Sequence, residues 1–63
     1  MIPYMIVVDM LESLANETIR LHVLPLWDVS ETDVVIEGPF WNEDKACRHA
    51  NDLETPVTSA TLN

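Results

Sequence analysis

Sixty-three residues with a single cysteine, a single glycine and a net charge of −8 exclude several kinds of protein from the start. Cys47 has no partner for an internal disulfide and rules out a three- or four-cysteine zinc site. Eleven acidic residues against three basic ones oppose direct binding to nucleic-acid phosphates or to an anionic membrane, because both require Lys and Arg. An apolar fraction of 48% is nonetheless too high for a disordered chain.

The length fits one small domain, expected over residues 1–56, with 57–63 as a short C-terminal tail. A chain this short buries only about 60% of the surface its unfolded form exposes. Small scaffolds usually need a disulfide, a metal or a partner to make up the deficit. With the first two removed, a partner or a second copy is expected. No apolar run reaches the roughly 18 residues of a membrane span. "MIPYMIVV" lacks the basic flank and the length of a secretory signal, so it reads as mature protein. A lone thiol suits a reducing compartment, and a cytoplasmic location is expected.

Taken in chain order, "PYMIVVDML" (3–11) carries apolar residues on both faces, which suits a strand covered on both sides or one in the middle of a sheet. "ESLANE" (12–17) reads as a connection with Asn16 in a turn. "TIRLHVL" (18–24) alternates: Ile19, Leu21 and Val23 face one way, Thr18, Arg20 and His22 the other, as in a half-buried antiparallel strand. Pro25 ends it. A second reading of the same region stays open. Asp9 and Glu12 have the spacing of a capping box, and Leu11, Leu14, Ala15 and Thr18 would line one face of a helix over 10–20.

"DVSETD" (28–33) is an acidic loop and "VVIEG" (34–38) a short strand, with Val34 and Ile36 on one face and Val35 and Glu37 on the other. Gly38 suits a positive φ, and Pro39 is expected to stop the ladder. Asn42 is a good N-cap, with Glu43 and Asp44 in the first turn where carboxylates favour the helix dipole. Trp41 is placed to staple onto Ala46. Ala46, Ala50 and Leu53, with Cys47 beside them as a small buried hydrophobe, form a narrow apolar stripe that lets the helix lie close to a sheet. The expected fold is α+β: a three-stranded antiparallel meander followed by one C-terminal helix packed on one face.

Groups that carry chemistry are sparse. His22, Cys47 and His49 hold the right atoms for a metal. Cys47 and His49 are two apart, however, and point in different directions on a helix, so no metal site and no cofactor is expected. One glycine cannot build a phosphate loop. A nucleophile, base and orienting group in a dry cleft are not assembled by any spacing in the chain, and the expectation is a protein without catalytic activity. The aromatics stand out more. Trp27, Phe40 and Trp41 lie at the ends of predicted strands, and two tryptophans are hard to bury in so small a chain. With Asp28, Glu31, Asp33, Glu43 and Asp44, expected at one end of the sheet, they form the candidate partner-binding set.

"VVIEGPFWNEDKACRHANDL" (34–53) also resembles the strand–Gly-Pro-Phe–helix signature of the SPOR domain, through Gly38, Pro39, Phe40, Ala46 and Leu53. The likeness covers about a third of the chain, and the second strand–helix half of that family has no counterpart here. It implies a local β–α unit, and the family's function implies binding of bare glycan strands in the periplasm.

The reading taken forward is a non-enzymatic, acidic protein-interaction module that binds a larger protein with a basic surface. By analogy of size and charge it is of the kind that phages and mobile elements use as stoichiometric inhibitors or accessory proteins. Alternatives are an acidic mimic that blocks a basic DNA- or RNA-binding groove, a self-assembling subunit such as a homodimer, and SPOR-like glycan binding.

Overall fold

The computed structural model describes residues 1–54; the expected tail at 57–63 lies outside them. The elements are β1 (Tyr4–Asp9), α1 (Met10–Asn16), β2 (Leu21–Pro25), a short 3-10 turn (Leu26–Asp28), β3 (Asp33–Phe40) and α2 (Glu43–Glu54). Three antiparallel strands and a C-terminal helix make an α+β fold, as expected. The strand order is β2-β1-β3, so the consecutive meander is corrected: the first strand is the central one.

Two consequences follow from that order. β2 and β3 both run antiparallel to β1 and are therefore parallel to each other. β2 ends at Pro25 beside Tyr4, whereas β3 begins at Asp33 beside Asp9. The connection through residues 26–32 must therefore run back along the sheet from one end to the other. It is pinned at its start by Leu26 N–H donating to the Pro3 carbonyl (3.0 Å) and at its end by Met10 N–H donating to the Thr32 carbonyl (2.9 Å). A hairpin order leaves no such crossing segment.

The order changes because the chain turns after β1 by a helix. Asp9 caps α1, its Oδ1 accepting from Leu11 N–H (3.0 Å) and Glu12 N–H (3.3 Å). The helical reading of this region is the one the structure adopts, though α1 stops at Asn16. Glu17 terminates it in the left-handed region (φ 53); this is the turn residue, where Asn16 was expected. Thr18 N–H donates to the Ser13 carbonyl, and Ser13 Oγ donates back to the Thr18 carbonyl (2.9 Å). β2 accordingly starts at Leu21, and Ile19, expected on its inner face, is exposed.

β1 behaves as a covered central strand. Ile6, Val7 and Val8 are buried, with Ile6 and Val8 on one face and Val7 on the other. Burying a side chain of this size contributes about 1.5–3 kcal/mol. The face of Ile6 carries α2, whose buried residues are Ala46 and Ala50. Asn42 caps α2 as expected, its Oδ1 accepting from Lys45 N–H (3.1 Å). Small side chains at 46 and 50 let the helix backbone approach the sheet closely. Cys47, expected among the buried stripe, is exposed instead, and Leu53 lies at the margin of the contact.

β3 departs most from a regular strand. Its register against β1 shifts twice: Val35 pairs with Val7, Glu37 with Ile6, and Phe40 with Tyr4. Each shift inserts an extra residue on β3, as in a β-bulge. The first turns Glu37 onto the face of Val34 and Ile6, which corrects the expected sharing of a face by Val35 and Glu37. The second spans Gly38, at φ 144, and carries the strand through Pro39 to Phe40; Pro39 does not end it. A Cβ at Gly38 would lie 2.8 Å from Met5 Cε and 3.2 Å from the Tyr4 carbonyl oxygen, so close approach and backbone conformation both require glycine there.

Candidate interaction surface

The bulged strand and α2 together place the first pair of functional-looking side chains. His49 Nε2 meets the Glu37 carboxylate, and its ring lies 5.4 Å from that of Phe40 at a 41° tilt. Phe40 is therefore half-buried under α2 and completes the apolar layer. A second His–Glu pair lies on the other face. His22 Nε2 is 2.6 Å from Glu12 Oε1, which corrects the expectation of an outward-facing His22 beside Arg20. Both histidines of the chain thus contact a glutamate.

The second pair forms one wall of an open cleft of about 220 Å³ over Val7, lined also by Asp9, Leu24, Ser30 and Asp33. Its polar groups are occupied with holding the chain together. Asp9 caps α1, Glu12 meets His22, and Asp33 Oδ2 accepts from Ser30 N–H (2.9 Å) and Ser30 Oγ (3.2 Å). Ser30 Oγ also contacts Thr32 Oγ1 (3.0 Å). The cleft is a folding device that ties α1, β2 and the crossing segment to one another. Among the described residues no three His, Cys, Asp or Glu side chains converge as metal ligands, and no helix is long and apolar enough to cross a membrane.

The candidate partner-binding residues divide between the two ends of the sheet. Trp27 and Asp28, in the turn after Pro25, and Trp41, Glu43 and Asp44, after Phe40, leave the end marked by Tyr4. Glu31 and Asp33 lie at the opposite end, beside Asp9. The single acidic patch expected from sequence is therefore two separate groups. Asp44 is further engaged by Arg48 one helical turn on (3.1 Å), and Asp33 by Ser30. Both tryptophans project: Trp27 is 65% exposed and Trp41 58%.

The exposed apolar surface extends well beyond the tryptophans. Met10, Leu11 and Leu14 of α1 are exposed, as are Ile19, Leu26 and the run Val34, Val35 and Ile36 of β3. Sequence reasoning read Leu11 and Leu14 as one face of a possible helix, Ile19 as one face of a strand and Val34, Val35 and Ile36 as the two faces of another, and singled none of them out as surface. Their mismatch with a core that, among the described residues, holds five buried apolar side chains (Ile6, Val7, Val8, Ala46 and Ala50) emerges once the topology is known.

Comparison of the chain with protein-family models, curated proteins and solved structures finds no significant match. The β–α unit that the SPOR-like residues imply is present as β3 and α2.

Proposed function

We propose that this chain is a non-enzymatic protein-interaction module that binds a larger protein through its uncovered apolar side chains. One observation carries the reading: the described residues expose more large apolar side chains than they bury, and both tryptophans are among the exposed. Single exposed apolar residues are ordinary, whereas Val34, Val35 and Ile36 are exposed as a run along one strand, and a run of that kind points to a contact surface. Tryptophan is the residue type most enriched where binding energy concentrates. The excess of carboxylates would act at the rim, speeding encounter with a basic partner. An inhibitor or accessory role in a reducing, cytoplasmic setting fits the size, the charge and the free thiol of Cys47.

The alternative of a nucleic-acid mimic requires carboxylates arrayed along one face. It draws less support from two groups at opposite ends of the sheet, with Asp33 and Asp44 already engaged.

A pull-down with the immobilised chain across a salt titration tests the reading. An apolar, aromatic-anchored contact should survive salt better than a mimic's contact, which should weaken steeply. Trp41→Ala and Trp27→Ala should each leave the fold within about 0.5 kcal/mol. Each should weaken capture by roughly tenfold or more, Trp41 more than Trp27. Loss of fold equal to loss of capture would return the tryptophans to a structural role.

A further inference from the structure

The outer edge of β3 is the surface of this molecule that most narrowly specifies what it would bind. β3 pairs with β1 on one side only, so alternate residues turn their backbone N–H and C=O groups toward solvent. Val34 and Val35 point to opposite faces of the sheet, yet they and Ile36 are exposed to nearly the same extent, 45–46%. Neither α2 on one face nor the crossing segment on the other extends to cover them. A fourth strand laid along this edge would satisfy the backbone groups and cover side chains on both faces at once.

The ends of the open stretch are defined. Beyond Glu37 the backbone is distorted by Gly38 and lacks a donor at Pro39, two devices that block edge pairing. Before Asp33 the chain turns back through Ser30. What remains is five residues, Asp33–Glu37, an apolar triplet with a carboxylate at each end; the strand is regular from Asp33 to Val35, and the bulge at Ile36 then brings Glu37 onto the face of Val34. Asp33 accepts from Ser30, and Glu37 contacts His49 with its side chain still 46% exposed; each keeps its negative charge at its end of the stretch. Asp9, the cross-strand partner of Asp33, adds negative charge there.

This pattern disfavours a second copy. Antiparallel pairing of two β3 strands would bring the Asp33 end of each copy alongside the Glu37 end of the other, with the two carboxylates on opposite faces of the sheet. Like charges brought close repel, and each chain adds its own net charge of −8.

We infer that β3 accepts, as a fourth strand, an extended segment of the partner in which a short apolar run is flanked by Lys or Arg. The backbone supplies pairing, Val34, Val35 and Ile36 supply apolar cover, and Asp33 and Glu37 select the flanking charges, as in other cases of strand addition to a sheet edge. The inference rests on the interaction-module reading and specifies its site and partner chemistry.

The test is a titration of the isotopically labelled chain at low salt with a synthetic peptide, Val-Ile-Val flanked on each side by two lysines, followed by NMR. Controls are the same peptide with glutamates for lysines, and the lysine peptide with alternate amides N-methylated. The lysine peptide is expected to perturb and protect the amides of residues 33–37. The glutamate and N-methyl peptides should bind at least tenfold more weakly. Ile36→Lys, on an exposed residue, should weaken the lysine peptide by a similar factor with an unchanged free-state spectrum.

Equal binding of the lysine and glutamate peptides would overturn the charge selection. Perturbations confined to α1 or Trp27 would overturn the edge site and leave the interaction module standing. Protection of 33–37 without peptide, together with a doubled solution mass, would overturn it in favour of a second copy. Absence of peptide binding at millimolar concentration would also overturn it. The pull-down with the tryptophan variants does not depend on this edge, so its outcome separates failure of the edge from failure of the module.

Discussion

Ile6-Val7-Val8 and Val34-Val35-Ile36 are the same three residue types in reversed order, and the two runs pair with each other across the sheet, Val7 with Val35 and Val8 with Val34. The first is 0–6% exposed and the second 45–46%. Local composition and strand propensity do not separate them. Position does, since β1 has a strand on each side, α2 over one face and the cleft-forming segments over the other. β3 is an edge with incomplete cover on both faces. In so small a fold only one strand can be central, and a second strand of core-like sequence is left as surface. The presence of such a sequence at an edge is what makes the interaction reading a physical one.

The comparison can be broken most severely at its buried member. Ile6→Ala should cost about 3 kcal/mol, comparable with the entire stability of about 3–5 kcal/mol available to a domain this small. A urea titration should find that variant only marginally folded without denaturant, with its midpoint moved close to zero urea. Gly38→Ala acts on the edge strand but strikes the centre, because its new Cβ meets Met5 and the Tyr4 carbonyl and its φ of 144 is strained. A loss of about 2–3 kcal/mol is expected by the same titration.

Asp9→Ala removes the cap at the point where β1 gives way to α1, for about 1 kcal/mol. Its amide-exchange signature should be concentrated in residues 10–16. At the mild end, Val35→Ala should change stability by only about 0.5 kcal/mol, although Val35 pairs directly with fully buried Val7. A loss similar to that of Ile6→Ala would show that the edge is part of the core.

Several features of this division were legible beforehand. The two-faced apolar character of residues 3–11 pointed to a strand covered on both sides, although the expected meander put the second strand at the centre; Asn42 identified the start of α2, and the lone glycine marked a position of positive φ. The path after β1 was harder to read because the two signals there conflict. The Asp9–Glu12 spacing points to a helix, while the alternation from Thr18 onward points to a strand. The helix is held by the Asp9 cap, the left-handed end at Glu17 and the Glu12–His22 contact, with Leu11 and Leu14 exposed, so the expected apolar stripe was not what stabilised it. Glu12 in turn meets His22 across ten residues of sequence instead of closing a capping box.

The Glu37–His49 contact was hidden for a different reason. Period-two counting places Glu37 on the face opposite Val34, and only the bulge at Ile36 turns it toward α2. Bulges add single residues to the register, and no composition signal announces them. The exposure of Cys47 was missed because small residues at 46, 47 and 50 look alike as a stripe, whereas a turn of 100° per residue carries position 47 away from the sheet. Of the candidate partner residues, the exposed tryptophans were legible from their number and size. The division of the carboxylates between two ends follows from the crossing segment and was not legible.

Amide hydrogen exchange of the free chain, measured residue by residue at low concentration, tests the central claim most directly. The account predicts slowest exchange in Ile6, Val7 and Val8 and rapid exchange at those amides of residues 33–37 that face away from β1. Uniform protection of both runs in a monomer would contradict it, because β3 would then be covered by its own chain and would have no edge to offer.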